Sequence, residues 1–81
     1  MKTLTIQQLK DHPLVEKFDM RMLQSEYVDS NYMSIWNGLD NVFFNSAHII
    51  EIIELENSID IKFEKATITL KANQLHTLLN F

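Results

Sequence analysis

The sequence predicts a small α+β domain: an N-terminal helix, a curved antiparallel sheet of five or six strands, and a short C-terminal helix. Three observations carry that expectation. Thr5 and Gln8 form a capping box, Asn37-Gly38 stands between apolar runs, and Ile59 to Leu70 alternates apolar with polar side chains.

Thr5 is the expected N-cap, with Gln8 three residues on and Leu4 and Leu9 at the two staple positions, so a helix should begin at Ile6. Pro13 disfavours helical angles at His12, which ends this helix near Asp11, and Pro13 can itself start a second turn bearing Leu14, Val15 and Phe18. From Asp19 the spacing changes to alternation, with Phe18, Met20 and Met22 against Asp19 and Arg21, and a strand follows. Residues Tyr27 to Asn31 read as a turn and Tyr32 to Trp36 as a strand ending at Asn37-Gly38. A type I′ turn there would need positive φ at both central residues, and Gly38 is the chain's single glycine.

Leu39 to Phe44 should return as a strand, interrupted by Asn45-Ser46-Ala47-His48. Ile49 to Leu55 fits either helical spacing or a strand, and four isoleucines in five positions favour the strand. Asn57-Ser58 makes a turn. Ile59, Ile61 and Phe63 then alternate with Asp60, Lys62 and Glu64, and after a tight connection near Lys65 the pattern continues through Ala66, Ile68 and Leu70 in an antiparallel partner. Asn73 is expected to cap a last helix striped by Leu75, Leu78 and Leu79.

Eighty-one residues make one domain, 1–81, with no linker, repeat or low-complexity segment. At that size folding removes only about 60% of the unfolded chain's surface. The chain has no cysteine, so burial must hold it together, and oligomerisation would help. Apolar runs are short and the first residues lack a secretory pattern, which together point to the cytoplasm and away from membranes. One glycine, one arginine and three alanines beside many Ile, Asn and Lys suggest an AT-rich coding source, as in phages and mobile elements.

Net charge is −4, and residues 19 to 60 hold eight acids against Arg21 alone. Direct binding to nucleic acid or anionic lipid is therefore disfavoured. Gly38 is isolated, which excludes a phosphate-cradling loop. His12, His48 and His76 lack a second ligand at metal-binding spacing, and Ser46 with His48 lacks a nucleophile elbow; no cofactor, metal site or catalytic residue is expected. The three histidines read instead as a cap or turn residue, a strand-bend residue and an exposed helical residue. Glu54, Glu56 and Asp60 read as a solvated hairpin edge, whereas Glu51 among isoleucines needs solvent or a partner.

Condensed, Val42 to Leu79 gives N-S-A-H-I, I-D-I-K-F and A-T-I-T-L before the last helix. This resembles the strand–bend–strand–strand–helix arrangement of small bacterial and phage proteins, including LytTR DNA-binding domains. Those domains carry basic DNA-contacting residues that this chain lacks, so no site follows from the resemblance.

Surface recognition remains. Aromatic residues concentrate in the middle of the chain, and Trp36, Tyr32, Phe44 and Tyr27, with Glu54 and Glu56 as an acidic rim, are the expected protein interface. The leading expectation is a non-enzymatic module that binds and inhibits a host defence protein, with a possible homodimer covering part of the sheet. Two alternatives are an acidic nucleic-acid mimic using Asp19, Glu26, Asp29, Glu51, Glu54, Glu56 and Asp60, and a homo-oligomeric structural or transcription-regulatory subunit.

Overall fold

The Thr5 capping box forms as expected: the Thr5 side chain accepts from the Gln8 amide and the Gln8 side chain accepts from the Thr5 amide. It starts a helix of little more than one turn, α1 (Ile6–Lys10), capped at Asp11. Pro13 opens a 3-10 turn over Pro13–Lys17. This computed structural model describes residues 1–22, 31–72 and 74–79. The expected turn at Tyr27–Asn31 and the Asn73 cap fall wholly or partly outside them.

Eight strands lie among the described residues, the first ahead of α1 and the others after the 3-10 turn: β1 (Lys2–Leu4), β2 (Asp19–Met22), β3 (Tyr32–Trp36), β4 (Asn41–Asn45), β5 (Glu51–Glu54), β6 (Ser58–Lys62), β7 (Ala66–Lys71) and β8 (Gln74–Leu79). They form two sheets rather than one. The larger has the order β1-β5-β6-β7-β8 and the smaller β2-β3-β4, with every pairing antiparallel. The chain is thus mostly β, and the expected pairing of an N-terminal helix with a C-terminal helix is corrected.

The C-terminal helix is replaced by β8, which pairs with β7 along its whole length from Lys71↔Gln74 to Ala66↔Leu79. Leu75, Leu78 and Leu79 fit a helical stripe, but about two turns of helix are marginal alone, and the open edge of β7 offers six residue pairs instead. Ala72, at φ 54°, supplies the left-handed bend between the two strands. The other unexpected strand is β1, in which Leu4 lies opposite Ile52 across a long sequence separation.

The β3–β4 hairpin is present with a different turn. Trp36↔Asn41 is its last pair, so Asn37–Asp40 make a four-residue loop in which Gly38 has φ 98° and Asn37 does not have positive φ. Asn37 Oδ1 accepts from the amides of Leu39 and Asp40 at 2.9 and 2.7 Å, an Asx-type closure that moves Leu39 out of the strand. Asn45 caps a 3-10 turn at Ser46–His48, and the isoleucine-rich segment that follows is strand β5.

Register assigns each strand its faces. In the larger sheet Leu4, Ile52, Ile59, Ile61, Ile68 and Leu70 share the inner face, and in the smaller sheet Met33, Ile35 and Phe44 do. All are buried in one continuous core, to which α1 and the 3-10 turn add Leu9, Val15 and Phe18. The 3-10 turn touches β2 and β7, one strand from each sheet. The outer face of the larger sheet is mainly polar: Thr3, Glu51, Asp60, Lys62, Thr67, Thr69 and His76 lie there in register. Ile53 is buried on that face beside Thr3 and Asp60, and Glu51 is exposed opposite Lys62. No helix among the described residues is long and apolar enough to cross a membrane.

Candidate protein-binding surface

The smaller sheet has a different outer face. Side chains alternate along a strand, so turning Met33 and Ile35 into the core turns Tyr32, Ser34 and Trp36 outward. Cross-strand pairing then sets Asp19 and Asn41 beside Trp36, Arg21 and Phe43 beside Ser34, and Asn45 beside Tyr32. Trp36 is 46% exposed, Tyr32 38% and Phe43 60%, whereas Ser34 in the middle is 7% exposed. Trp36 and Tyr32 lie four residues apart on one strand, about 13 Å, and Phe43 sits between them on the next strand.

A polar group is built into this aromatic surface. Arg21 Nε donates to both Asp19 carboxylate oxygens at 3.1 and 3.0 Å, and Nη2 reaches Oδ2 at 2.8 Å. The Asp19 hydrogen bond and charge raise the Arg21 pKa above its ordinary value, reinforcing its positive charge. Asp19, Arg21, Ser34, Trp36 and Asn41 line a shallow depression of about 270 Å³. A flat aromatic surface with a planar charged pair at one end can hold apolar side chains and orient them by hydrogen bonds.

The expected interface residues separate. Trp36 and Tyr32 lie on this face. Phe44 turns inward, is 7% exposed, and meets Phe63 edge-on with ring centroids 5.5 Å apart; its neighbour Phe43 takes the outward position. Two adjacent aromatic residues make polarity uninformative at this point, and the usable signal was Val42, which must share the parity of the inward residue. Tyr27 lies outside the described residues. Glu54 and Glu56 belong to β5 and the β5–β6 turn of the larger sheet and do not join the aromatics.

Glu54 instead meets His12, with Nε2 and Oε2 2.6 Å apart. His12 Nδ1 accepts from the Leu14 amide at 3.1 Å, capping the 3-10 turn, so the ring proton sits on Nε2 and is donated to Glu54. Both ring nitrogens are engaged, which makes His12 the expected cap and leaves it no lone pair for a base or a metal. The pair lines a cleft of about 550 Å³ with Leu14, Lys17, Glu56 and Lys71.

The remaining chemistry is dispersed. His48 ends the second 3-10 turn, and Ser46 Oγ donates to the Asn31 carbonyl at 2.8 Å. His76 lies exposed on the outer face of β8, 3.2 Å from Gln74 Oε1. Among the described residues no three His, Cys, Asp or Glu side chains gather as a metal site. Of the acids considered for phosphate mimicry, Asp19 lies on the smaller sheet, Glu51 and Asp60 on the polar face of the larger one, Glu54 on its inner side and Glu56 in a turn; Glu26 and Asp29 lie outside the described residues. Asp60 also accepts from the Thr69 hydroxyl at 2.8 Å. Comparison with protein-family models, curated proteins and solved structures returned no match.

Proposed function

We propose that the protein is a non-enzymatic binding module that engages a protein partner through the outer face of β2, β3 and β4. The observation that carries this reading is the exposure of Trp36, Phe43 and Tyr32 together on one sheet face, around the Asp19–Arg21 pair. An outward face has no folding requirement for three aromatic rings, since outward positions of a half-buried sheet are ordinarily polar. The outer face of the larger sheet is mainly polar, with Ile53 and Leu78 as its apolar members among the described residues.

Tyr and Trp are enriched at interface hot spots because each covers much area for little lost side-chain freedom. A matching partner presents apolar side chains to the rings and polar groups to Asp19 and Arg21. Inhibition of a host protein is the form of this activity that fits the chain's size and acidic middle.

The test compares immobilised wild type with Trp36→Ala/Phe43→Ala and a Leu39→Ala control in capture from a host lysate. The expected result is a stoichiometric protein retained by wild type and the control and lost at least tenfold in the double variant. Capture that ignores the two aromatic residues, or no stoichiometric partner at low and moderate salt, refutes the reading.

A further inference from the structure

Among the described residues, strand β8 is a sheet edge without the usual protection. Edges are commonly blunted by charge, proline, bulges or shortness. The opposite edge of the same sheet, β1, is three residues long and carries Lys2, and β2 carries Asp19 and Arg21. By contrast β8 is six residues of Gln-Leu-His-Thr-Leu-Leu with no formally charged side chain, proline or glycine, and Leu78 and Leu79 are 67% and 56% exposed. The uncharged edge β4 flanks a groove that Phe63, Ala66 and Ile68 of the larger sheet line together with Thr77 of β8.

We propose that β8 pairs with β8 of a second copy across a two-fold axis, joining two five-stranded sheets into one. Residues directly opposed in an antiparallel pair share a face, so keeping both cores on one side requires odd positions to oppose odd positions. The register centred on Thr77 meets this condition. It opposes Thr77 to itself, Leu75 to Leu79 and His76 to Leu78 of the second copy. Leu75 already packs against the core, so Leu79 of the second copy extends that apolar layer on the inner face. Centring on His76 would instead stack the two imidazoles and oppose Leu75 to Thr77.

The charge distribution favours a second copy as the occupant. Each chain carries a net −4, yet β8 contributes no formal charge, and the acidic strand β5 lies three strands away, about 14 Å. That distance exceeds the Debye length of about 8 Å at physiological salt, so repulsion between copies is weak at the seam. One six-residue edge covers less than the roughly 800 Å² per partner of a standard interface, which places the association in the weak, transient class.

This inference rests on the β8 edge rather than on the aromatic face, and Leu78→Lys, on the opposite side of β8 from the groove that Thr77 and Phe43 share, tests it apart from that face. Light scattering from about 1 to 200 μM should show wild type passing from monomer to dimer. Leu78→Lys should weaken the dimer at least tenfold, while Leu39→Lys, which adds the same charge at a residue 91% exposed in the β3–β4 loop, should not. The chain has no cysteine, so Thr77→Cys supplies a single thiol that meets its own copy at about 5 Å between Cα atoms, within disulfide reach. It should oxidise rapidly to a covalent dimer, and Leu39→Cys should not. A wild type that stays monomeric throughout, a dimer indifferent to Leu78→Lys, or Thr77→Cys cross-linking no faster than Leu39→Cys overturns the proposal; the first with no cross-link leaves the edge to a strand of a different protein.

Discussion

Phe43 and Phe44 are adjacent and chemically identical, yet truncating them should have opposite consequences. Phe44 is 7% exposed, touches Phe63 edge-on, and lies opposite Met33 in the core. Phe44→Ala removes its buried ring and leaves a cavity between the sheets, at a cost of about 3–5 kcal/mol. Phe43 is 60% exposed opposite Ser34, so Phe43→Ala should cost less than about 1 kcal/mol. A domain of 81 residues has a total stability of roughly 4–12 kcal/mol, so the Phe44 variant loses a large share of it. At about 4–8 °C per kcal/mol for domains of this size, its Tm falls by at least about 12 °C while that of the Phe43 variant falls by a few degrees. Urea unfolding followed by fluorescence of Trp36, the only tryptophan, and by far-ultraviolet circular dichroism gives both free energies. Equal losses, or a greater loss for Phe43→Ala, would place β4 one residue out of register and remove Phe43 from the proposed surface.

Three further outcomes check local features. His12→Ala removes the acceptor for the Leu14 amide and the donor to Glu54, and should cost about 1–2 kcal/mol in urea unfolding, with His12→Asn recovering part by restoring a cap. Gly38→Ala meets nothing within 4 Å but must hold φ near 98°, so it should destabilise by about 1–2 kcal/mol through backbone strain alone; a neutral result would mean the loop is free to change its turn. Ala72→Gly relieves positive φ between β7 and β8 and should stabilise by about 0.5–1 kcal/mol in thermal unfolding, whereas destabilisation would contradict the bend described there.

Features legible in the sequence were those decided within a few residues. The Thr5–Gln8 box depends on side chains that reach only their own first turn, Pro13 acts through its own ring, and the alternation from Ile59 to Leu70 reflects the two faces of a hairpin with a tight connection. His12 as a cap belongs to the same class. On the candidate surface, residue type points to Trp36 and Tyr32, which are exposed, but does not tell which of Phe43 and Phe44 faces outward, because adjacent aromatics carry no parity of their own.

The sequence by itself determined a cysteine-free chain with an acidic middle, a short helix starting at Ile6 and antiparallel strands between Asp19 and Leu70. Only the tertiary structure decided that the strands divide into two sheets, that β1 closes one edge against β5, and that Gln74–Leu79 extends along β7 instead of coiling. The reason is that a strand's hydrogen bonds go to another segment, whereas a helix satisfies its own. Lys2–Leu4 is too short to show a period, and Leu75, Leu78 and Leu79 suit a helix until the unpaired edge of β7 is present to compete. The same non-local pairing turned Tyr32, Trp36 and Phe43 of the smaller sheet outward and Phe44 inward, and among the described residues it left β8 at a sheet edge.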